Sequence, residues 1–263
     1  MNQSFYTGAV GAGQLTKKLS VVSNNLANIN NTGFKPKTAV FSELMNYKLN
    51  DSESATTELQ TGVGARLART WTDFGTAAVT QTGSQYDYAL LDPNAFFMIQ
   101  DPSTGEITYT RDGHFHRGQR EDGFYLVTEN GKLVLDQNQQ PLQLEVTDVE
   151  KLQAEANGES TDDTDDTTDE DDDTDKPKVS AYTFANPSRL LSVGDNEYKP
   201  QDEGIQGTLD KNVSVQKGVL ENSGTDLAKE MVNVIECQRA FSYAVKMIET
   251  SDDIESTINS LRG

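Results

Sequence analysis

Apolar or helix-compatible residues recur at alternating steps of four and three near both ends of the chain. Near the C-terminal end the repeat occupies Leu227, Met231, Val234, Gln238, Phe241, Val245 and Ile248. Near the N-terminal end it occupies Phe5, Gly8, Ala12, Leu15, Leu19, Val22, Leu26 and Ile29. This heptad spacing is typical of a helix that buries one narrow seam, so it predicts a long helix at each end. Such helices need partners, because an uncovered seam leaves apolar surface in water.

The limits of the C-terminal helix follow from its flanking residues. Ser223 with Asp226 three residues later forms a capping box, which predicts where this helix starts. If the helix continues to Leu261, it is about 55 Å long at the usual rise per residue. The single cysteine, Cys237, falls inside this helix and is expected to be a small apolar packing residue.

The N-terminal helix is expected to be marginal by itself. Its glycines, which include Gly8 on the seam, weaken it by up to about 1 kcal/mol each relative to Ala. We therefore expect it to be ordered only when its seam is covered. An Asn-rich stretch, the turn at residues 31–33 and Pro36 should end it.

The region between the helices has the composition of strands and turns. From Gln60 to about Val146, short runs rich in Val, Thr, Tyr and Phe are separated by Gly and Asp, and a second such stretch begins near Val179. Asn130–Gly131, between two of these runs, is the clearest hairpin signal. The sequence thus predicts an α+β fold, in which a mainly-β central domain is inserted between N- and C-terminal α-helices.

We divide the chain into four segments. They are an N-terminal heptad helix (1–35), a connector (36–59), a mainly-β body (60–221) and a C-terminal heptad helix (222–263). Within the body, the stretch from Glu159 to Asp175 has eleven carboxylates and neither a base nor an apolar residue. Because such a sequence cannot bury surface, we expect a solvated, disordered loop at about 155–178.

Composition excludes several classes of function. The net charge of −20 argues against binding nucleic acid, which requires clustered Lys and Arg. There is no run of about 18 apolar residues, so we expect no membrane insertion. The first fifteen residues lack both a basic region and a continuous apolar region, so we expect no cleaved signal peptide.

No pattern in the chain points to catalysis or to a cofactor. His114 and His116 flank Phe115 and should share one face of a strand, but no third metal ligand has suitable spacing. The acidic stretch lacks the Gly and the regular spacing of a calcium loop. Nucleophile elbows, phosphate-binding loops and Cys-x-x-Cys motifs do not occur. We therefore expect no enzymatic activity, no cofactor and no metal site.

Spacing alone leaves the partner of each terminal helix open. The two helices can pair with each other or lie on the β body within one chain. Alternatively, helices of neighbouring subunits can cover them.

Three stretches of the sequence, in this order, match one known family. SNNLANINNTGFKPKTAVF (residues 23–41) resembles the N-terminal signature of bacterial flagellar rod and hook proteins. YTRDGHF (109–115) is similar to a motif of their β region, and residues 218–253, with Gln238-Arg239-Ala240-Phe241, resemble their terminal helix. Residues 72–90 and the pair Phe96-Phe97 are looser matches. The family usually has Gly-x-Gly before this Phe pair, whereas this chain has Asp92-Pro93-Asn94-Ala95.

The resemblance implies a mechanical function. The chain looks most like a rod protein, distal or proximal, that polymerises through its terminal helices into the hollow drive shaft of the basal body. Such a shaft transmits torque and passes exported subunits. The terminal helices then form a coiled-coil-like helical layer on assembly. Implied partners are copies of the same chain, other flagellar rod and hook proteins and the flagellar type III export apparatus, with the flagellum basal body as the location. The alternative is a hook-type or other exported surface protein in which a helical stalk presents a β binding domain.

The resemblance and the seams together nominate assembly residues. On the N-terminal side they are Leu15, Leu19, Val22, Asn24, Asn25, Leu26, Ala27, Asn28, Ile29, Gly33, Phe34 and Lys35. On the C-terminal side they are Leu227, Met231, Val234, Gln238, Arg239, Ala240, Phe241, Val245 and Ile248.

Overall fold

The chain folds into two compact units. A computed structural model describes residues 3–44, 46–48, 60–120, 123–144, 179–202, 207–210 and 213–263. The first unit, here called the helical unit, comprises Met1–Asn30, Lys35–Asp73 and Thr225–Gly263. The second, the β unit, comprises Asn31–Phe34 and Phe74–Gly224. The predicted acidic loop at 155–178 lies outside the described residues.

The helical unit contains both terminal helices and two strand pairs. Its elements are α1 (Gln3–Ala27), β1 (Lys37–Glu43), β2 (Asn46–Lys48), β3 (Gln60–Gly62), β4 (Ala65–Thr72) and α2 (Leu227–Arg262). β1 pairs with β4 and β2 pairs with β3, both antiparallel. The segment 60–73, which the sequence analysis assigned to the β body, thus groups with the helices.

The two terminal helices pack against each other in antiparallel orientation. Near the start of α1, Ser4 Oγ lies 3.1 Å from Ser251 Oγ of α2. Near its end, Asn25 Nδ2 donates to Glu230 Oε1 at 3.2 Å. The prediction of a long helix at each end is confirmed, and within one chain each helix is a partner of the other. α1 covers α2 only as far as Ser251, so residues 252–262 of α2 extend beyond the described part of α1.

The start of α2 differs from the predicted capping box. The N-cap is Asp226, whose side chain accepts hydrogen bonds from the backbone N–H groups of Ala228 and Lys229. The assignment of Ser223 as the capping residue was therefore wrong. A carboxylate that accepts two of the free N–H groups at a helix start is a strong cap and also favours the positive end of the helix dipole.

The end of α1 comes earlier than the heptad pattern indicated. The helix ends at Ala27, so the predicted seam position Ile29 lies outside it. Asn28 still donates its backbone N–H to Asn24 O, and the chain then turns at Gly33 with φ +64°. The Asn-rich stretch competes with the helix because Asn side chains bond readily to nearby backbone groups.

The β unit is mainly β, as the sequence predicted. Its strands are β5 (Val79–Gln81), β6 (Tyr88–Leu90), β7 (Ala95–Gln100), β8 (Ile107–Thr110), β9 (His116–Arg120), β10 (Gly123–Val127), β11 (Leu133–Val134), β12 (Gln143–Leu144), β13 (Ala181–Thr183), β14 (Leu190–Gly194), β15 (Glu197–Pro200), β16 (Thr208–Leu209), β17 (Val215–Lys217) and β18 (Val219–Glu221). The main sheet has the order β12-β10-β11-β7-β8-β15-β14, with β9 on β10, β13 on β7 and β16 on β13. β17 pairs with β6, and β18 pairs with β5.

The core of the β unit lies on both sides of β7. Successive side chains of a strand point to opposite faces, and here both faces are buried. Phe96 and Met98 pack into one apolar cluster with Tyr109, Phe184 and Tyr198, among others. Phe97 and Ile99 pack into a second cluster, with Leu90, Phe115, Leu126 and Val134 among its members. β7 is therefore the strand around which this unit is packed.

Two turns of the β unit were singled out from the sequence. The hairpin at Asn130–Gly131 is confirmed, because β10 and β11 pair through Val127 and Leu133 and Gly131 has φ +78°. At Asp92-Pro93-Asn94-Ala95, the Ala95 N–H bonds to Asp92 O at 3.4 Å. None of these four residues has a positive φ, so this turn closes without the glycines of the family motif.

Candidate assembly interface

Asn25 of the Asn-Asn-Leu-Ala-Asn motif holds three parts of the helical unit together. Its Nδ2 donates to Lys37 O at 2.8 Å, and its Oδ1 accepts from Lys37 N at 2.9 Å. The same Nδ2 lies 3.2 Å from Glu230 Oε1, and Glu230 Oε2 also accepts from Asn233 Nδ2. Asn25 and Glu230 are both buried. Since a buried amide must satisfy its donors and acceptor, this pairing fixes α1, β1 and α2 relative to one another.

The Gly-Phe-Lys motif forms a tight, buried turn. Gly33 donates its N–H to Glu221 O at 2.8 Å. A Cβ at Gly33 would lie 2.6 Å from the carbonyl carbon of Arg111, and its φ of +64° is also unfavourable for other residues. Phe34 O accepts from Gly224 N at 2.9 Å. Phe34 and Lys35 are both buried, so this stretch has a packing role in the single chain.

Arg111 of the YTRDGHF motif is the most deeply buried charged side chain of the β unit. Its guanidinium forms an ion pair with Glu221 of β18 at 3.0 Å, and both side chains are almost fully buried. Arg111 also donates to the carbonyl oxygens of Asp92, Ala95 and Leu90. Glu221 in turn accepts from the Ala77 N–H at 3.0 Å. This network helps to hold the 92–95 turn, because it satisfies the carbonyl groups of Asp92 and Ala95.

The remaining residues of this motif are also tightly placed. Asp112 Oδ1 accepts from Thr32 Oγ1 at 2.6 Å and from His114 N at 3.1 Å. Burial raises the pKa of the Asp112 carboxyl, while the Thr32 and His114 hydrogen bonds oppose that shift. A Cβ on Gly113 would lie 1.6 Å from the Tyr88 carbonyl oxygen, so only glycine fits there.

His114 and His116 share an exposed side of the β unit, as the alternation predicted. Their ring centroids are 4.6 Å apart, and Phe115 between them is buried. His114 Nδ1 lies 2.9 Å from Oδ1 of the buried Asp87, whose Oδ2 accepts from Thr82 Oγ1. In the part of the chain that the structure describes, no group of three or more His, Cys, Asp or Glu side chains is placed to hold a metal ion.

The nominated residues of the N-terminal side fall into three classes of exposure. Val22, Asn25, Gly33, Phe34 and Lys35 are buried; Leu15, Leu19, Leu26, Asn28 and Ile29 are half-buried; Asn24 and Ala27 are exposed. Along α1 the side chains of the heptad seam are thus covered to a large extent within the single chain.

The nominated residues of α2 are less covered. Val234, Ala240, Val245 and Ile248 are half-buried, whereas Leu227, Met231, Gln238, Arg239 and Phe241 are exposed. The buried positions of α2 are Glu230, Cys237 and Ser251, which are spaced in multiples of seven. The line that faces α1 therefore has the predicted heptad period, but it runs beside the seam read from the sequence.

α2 exposes apolar side chains in most directions. The large ones are between 42% and 83% exposed: Leu227, Met231, Val232, Ile235, Phe241, Tyr243, Met247, Ile254, Ile258 and Leu261. A helix that is apolar on several sides is normally buried on several sides. Extended exposed apolar surface of this kind marks an interaction site. We name this surface the α2 apolar surface.

Sequence reasoning missed Glu221 and Glu230 and gave Arg111 no role. No local signal marks them, because Glu230 follows Lys229, Arg111 precedes Asp112, and Glu221 is followed by polar residues. The partner itself could not be read off, since Arg111 and Glu221 are 110 residues apart. Neither described helix has an apolar stretch of the length and hydropathy needed to cross a membrane.

Three family models match three parts of the chain. The flagella basal body rod protein model matches residues 5–35. The flagellar hook protein FlgE/F/G D1 domain matches residues 91–160. The flagellar basal body rod FlgEFG protein C-terminal model matches residues 216–261. The first and third matches lie on α1 and α2, the two helices described above.

Full-length relatives agree with these matches. The flagellar basal-body rod protein FlgG of Buchnera aphidicola subsp. Baizongia pistaciae (strain Bp) is 30% identical over 259 residues, which cover 92% of this chain and 93% of that protein. The chain belongs to the flagellar basal-body rod and hook protein family. FlgG of Bacillus subtilis (strain 168) is 29% identical with 100% of both chains covered. The hook-basal body complex protein FlhP of the same strain is 26% identical, also with 100% of both covered.

Proposed function

We propose that this chain is a structural subunit of the flagellar basal-body rod. On this proposal it polymerises through its terminal helices into the hollow shaft that transmits torque and passes exported subunits. Its family and its full-length similarity to FlgG rod proteins support the assignment. Because flagellar basal-body rod proteins are part of the basal body, we propose the same location for this chain. We also propose that the chain catalyses no reaction.

The observation that carries the assembly proposal is the α2 apolar surface. In the single chain α1 covers one line of α2, and Met231, Ile235 and Met247 are each about half exposed. Helices of neighbouring copies are the partners that fit, because they offer apolar lines of the same heptad period. A contact between two different patches of identical subunits builds a helical filament when the rotation that it imposes does not close into a ring.

The further partners follow from the position of a rod in the flagellum. Other rod and hook proteins would meet the two ends of the polymer, and the flagellar type III apparatus would export the chain. The alternative, an exported surface protein with a helical stalk that presents a β binding domain, has less support. The relatives named above are rod and hook-basal-body proteins, and no feature of the described residues identifies a ligand.

The test is complementation of swimming in a flagellated strain that lacks its own rod gene. One variant carries Ile235→Ser and Met247→Ser on the α2 apolar surface. Its matched control carries Glu236→Ser and Lys246→Ser, which are exposed polar positions on the same helix. We expect the wild-type chain and the control to restore swimming and the apolar variant to fail, while all three purified chains have equal helix content by circular dichroism.

Two results would contradict the proposal. One is normal swimming with the apolar variant. The other is absence of the wild-type chain from isolated basal bodies of a complemented strain, as detected with an antibody to the chain.

A further inference from the structure

The β1–β4 pair of the helical unit has one face that combines exposed apolar and cationic side chains. Opposite residues of an antiparallel pair share a face, and here the register pairs Thr38 with Trp71 and Val40 with Arg69. Beyond a bulge, Ser42 pairs with Arg66. We name this set the hairpin face: Thr38, Val40, Ser42, Arg66, Arg69 and Trp71. Trp71 is 42% exposed and Val40 36% exposed.

The cations of the hairpin face are available for a partner. Arg66 Nε donates only a long bond of 3.4 Å to Ser42 Oγ. Within the described residues neither Arg66 nor Arg69 takes part in an ion pair, although the chain has a net charge of −20. Exposed Trp and Arg are also the residue types that contribute most to binding at interfaces. The face therefore fits a partner that is both apolar and acidic.

The end of α2 has this complementary character. Residues 252–262, here called the α2 tail, lie beyond the described part of α1 and carry Asp252, Asp253 and Glu255 against the single cation Arg262. Ile254, Ile258 and Leu261 form its apolar line and are all more than half exposed. Asp253 and Glu255 each lie about 100° from Ile254 around the helix, so they border this apolar line on its two sides.

The tail cannot reach the hairpin face of its own chain while α2 remains helical. β4 meets α1 at Gln14, whose Oε1 accepts from Leu67 N at 2.9 Å. The tail starts past the level of Ser4, which faces Ser251. Gly64, just before β4, lies against Thr7 and Val10, so this end of the strand pair comes to within about 5 Å of the level of Ser4 along the helix axis. The tail runs from that level in the opposite direction. A tail seated on this face must come from another copy.

We propose that the hairpin face of one copy binds the α2 tail of a second copy. Arg66 and Arg69 pair with Asp253 and Glu255, and Val40 and Trp71 cover Ile254 and Ile258. This inference rests on the proposed function, since it names one specific contact within the polymer. It assigns a role to a strand pair that the helix-to-helix contacts do not use.

The test is a charge reversal and its compensation in the full-length chain. The first variant carries Arg66→Glu and Arg69→Glu, the second Asp253→Lys and Glu255→Lys, and the third all four changes. The control, Arg120→Glu with Lys217→Glu, makes the same change in net charge at exposed positions of the β unit. We expect each reversal to weaken self-association by about tenfold in sedimentation velocity, the four-fold variant to recover most of it, and the control to remain near wild type.

Trp71 gives a second, independent readout. It is the only tryptophan of the chain, so its emission reports this face alone. We expect the emission maximum to move to shorter wavelength as the wild-type chain associates and to stay unchanged in the first variant. Association should also weaken as ionic strength rises, because the pairs are exposed.

The outcomes separate this inference from the proposed function. If the first variant associates and swims like wild type, the hairpin contact is wrong and the rod assignment stands. The same conclusion follows if the variant with all four changes recovers none of the self-association. It also follows if deletion of 159–175, rather than the tail reversal, abolishes the shift in Trp71 emission, because the acidic stretch would then be the segment that binds the hairpin face. If the wild-type chain neither associates nor enters basal bodies, both ideas fail.

Discussion

The β unit buries its apolar residues, whereas the helical unit leaves many of them exposed. In the β unit, Ala95, Phe96, Phe97, Met98 and Ile99 follow one another along β7, and each is at most 1% exposed. In the helical unit, the α2 apolar surface keeps ten large side chains substantially exposed. Both units have similar residue types at these positions, so composition does not explain the difference.

The difference lies in the number of elements available to cover each apolar surface. β7 has strand neighbours on both edges and side-chain clusters on both faces. α2 has one long helical partner, and a helix covered along one line keeps its other sides bare. A unit that completes its core can be stable alone, whereas a unit that leaves it incomplete gains stability when other copies bind. The following predictions test this comparison.

One of the two largest expected losses of stability is from breaking the Arg111–Glu221 pair. Arg111→Met removes the guanidinium, leaves the Glu221 carboxylate buried without its counter-charge, and frees the carbonyl groups of the 92–95 turn. We expect the free energy of unfolding to fall by about 3–5 kcal/mol, as measured by denaturant unfolding. Lys199→Met, which breaks the exposed pair with Glu106, is the control and should cost at most about 1 kcal/mol. Equal effects of the two changes would show that burial of the pair is unimportant.

A pair of phenylalanine truncations contrasts the two units directly. Phe96→Ala empties a fully buried site in β7 and should cost about 3–5 kcal/mol in the purified chain. Phe241→Ala acts on an exposed residue of α2 and should stay within about 0.5 kcal/mol. Phe241→Ala should instead lower self-association measured by sedimentation. The contrast between the two units would be wrong if Phe241→Ala destabilised the monomer as strongly as Phe96→Ala.

A smaller effect is expected at the crossing of α1 and α2. Gly8→Val places a side chain where a Cβ is already 3.0 Å from Ile248 Cγ1, so the Ile248 side chain must shift or the helices must separate. Gly11→Val meets nothing within 4 Å and is the matched control with the same helix propensity. We expect Gly8→Val to cost about 1–3 kcal/mol more than Gly11→Val, with the difference visible in helix melting by circular dichroism. Identical melting curves would mean that the packing of α1 on α2 is loose.

The smallest effect concerns the pH dependence of the β unit. The pKa of Asp112 is raised by burial above its ordinary value of 3.8. Between that value and the raised pKa the folded chain binds more protons than the unfolded chain. The contribution of Asp112 to the free energy of unfolding therefore falls as pH rises through this window. Asp112→Asn keeps an acceptor for Thr32 and should remove this fall, leaving a flatter profile of denaturation midpoint against pH above 4. A profile unchanged by the substitution would show that Asp112 is not the group responsible.

The elements that are determined by residues close together in the sequence could be predicted. Heptad spacing located both terminal helices, and Asn130–Gly131 located a hairpin, because helix periodicity and turn chemistry act within a few residues. The three motifs indicated the family for the same reason, since each is a continuous stretch. What failed locally was the helix start: Asp226 proved the better cap, although Ser223 completed a recognised pattern.

Only the tertiary structure decided which surfaces meet. Periodicity gives a seam but not the rotation at which two helices pack, so the line of α2 that faces α1 runs through Glu230 and Cys237 instead of Met231 and Gln238. The pairings of Asn25 with Glu230 and of Arg111 with Glu221 join residues far apart in the chain. Such contacts depend on the path of the whole backbone, and no local pattern encodes that path. For the same reason, the exposed sides of α2 could be identified only from the length and position of α1 in the structure.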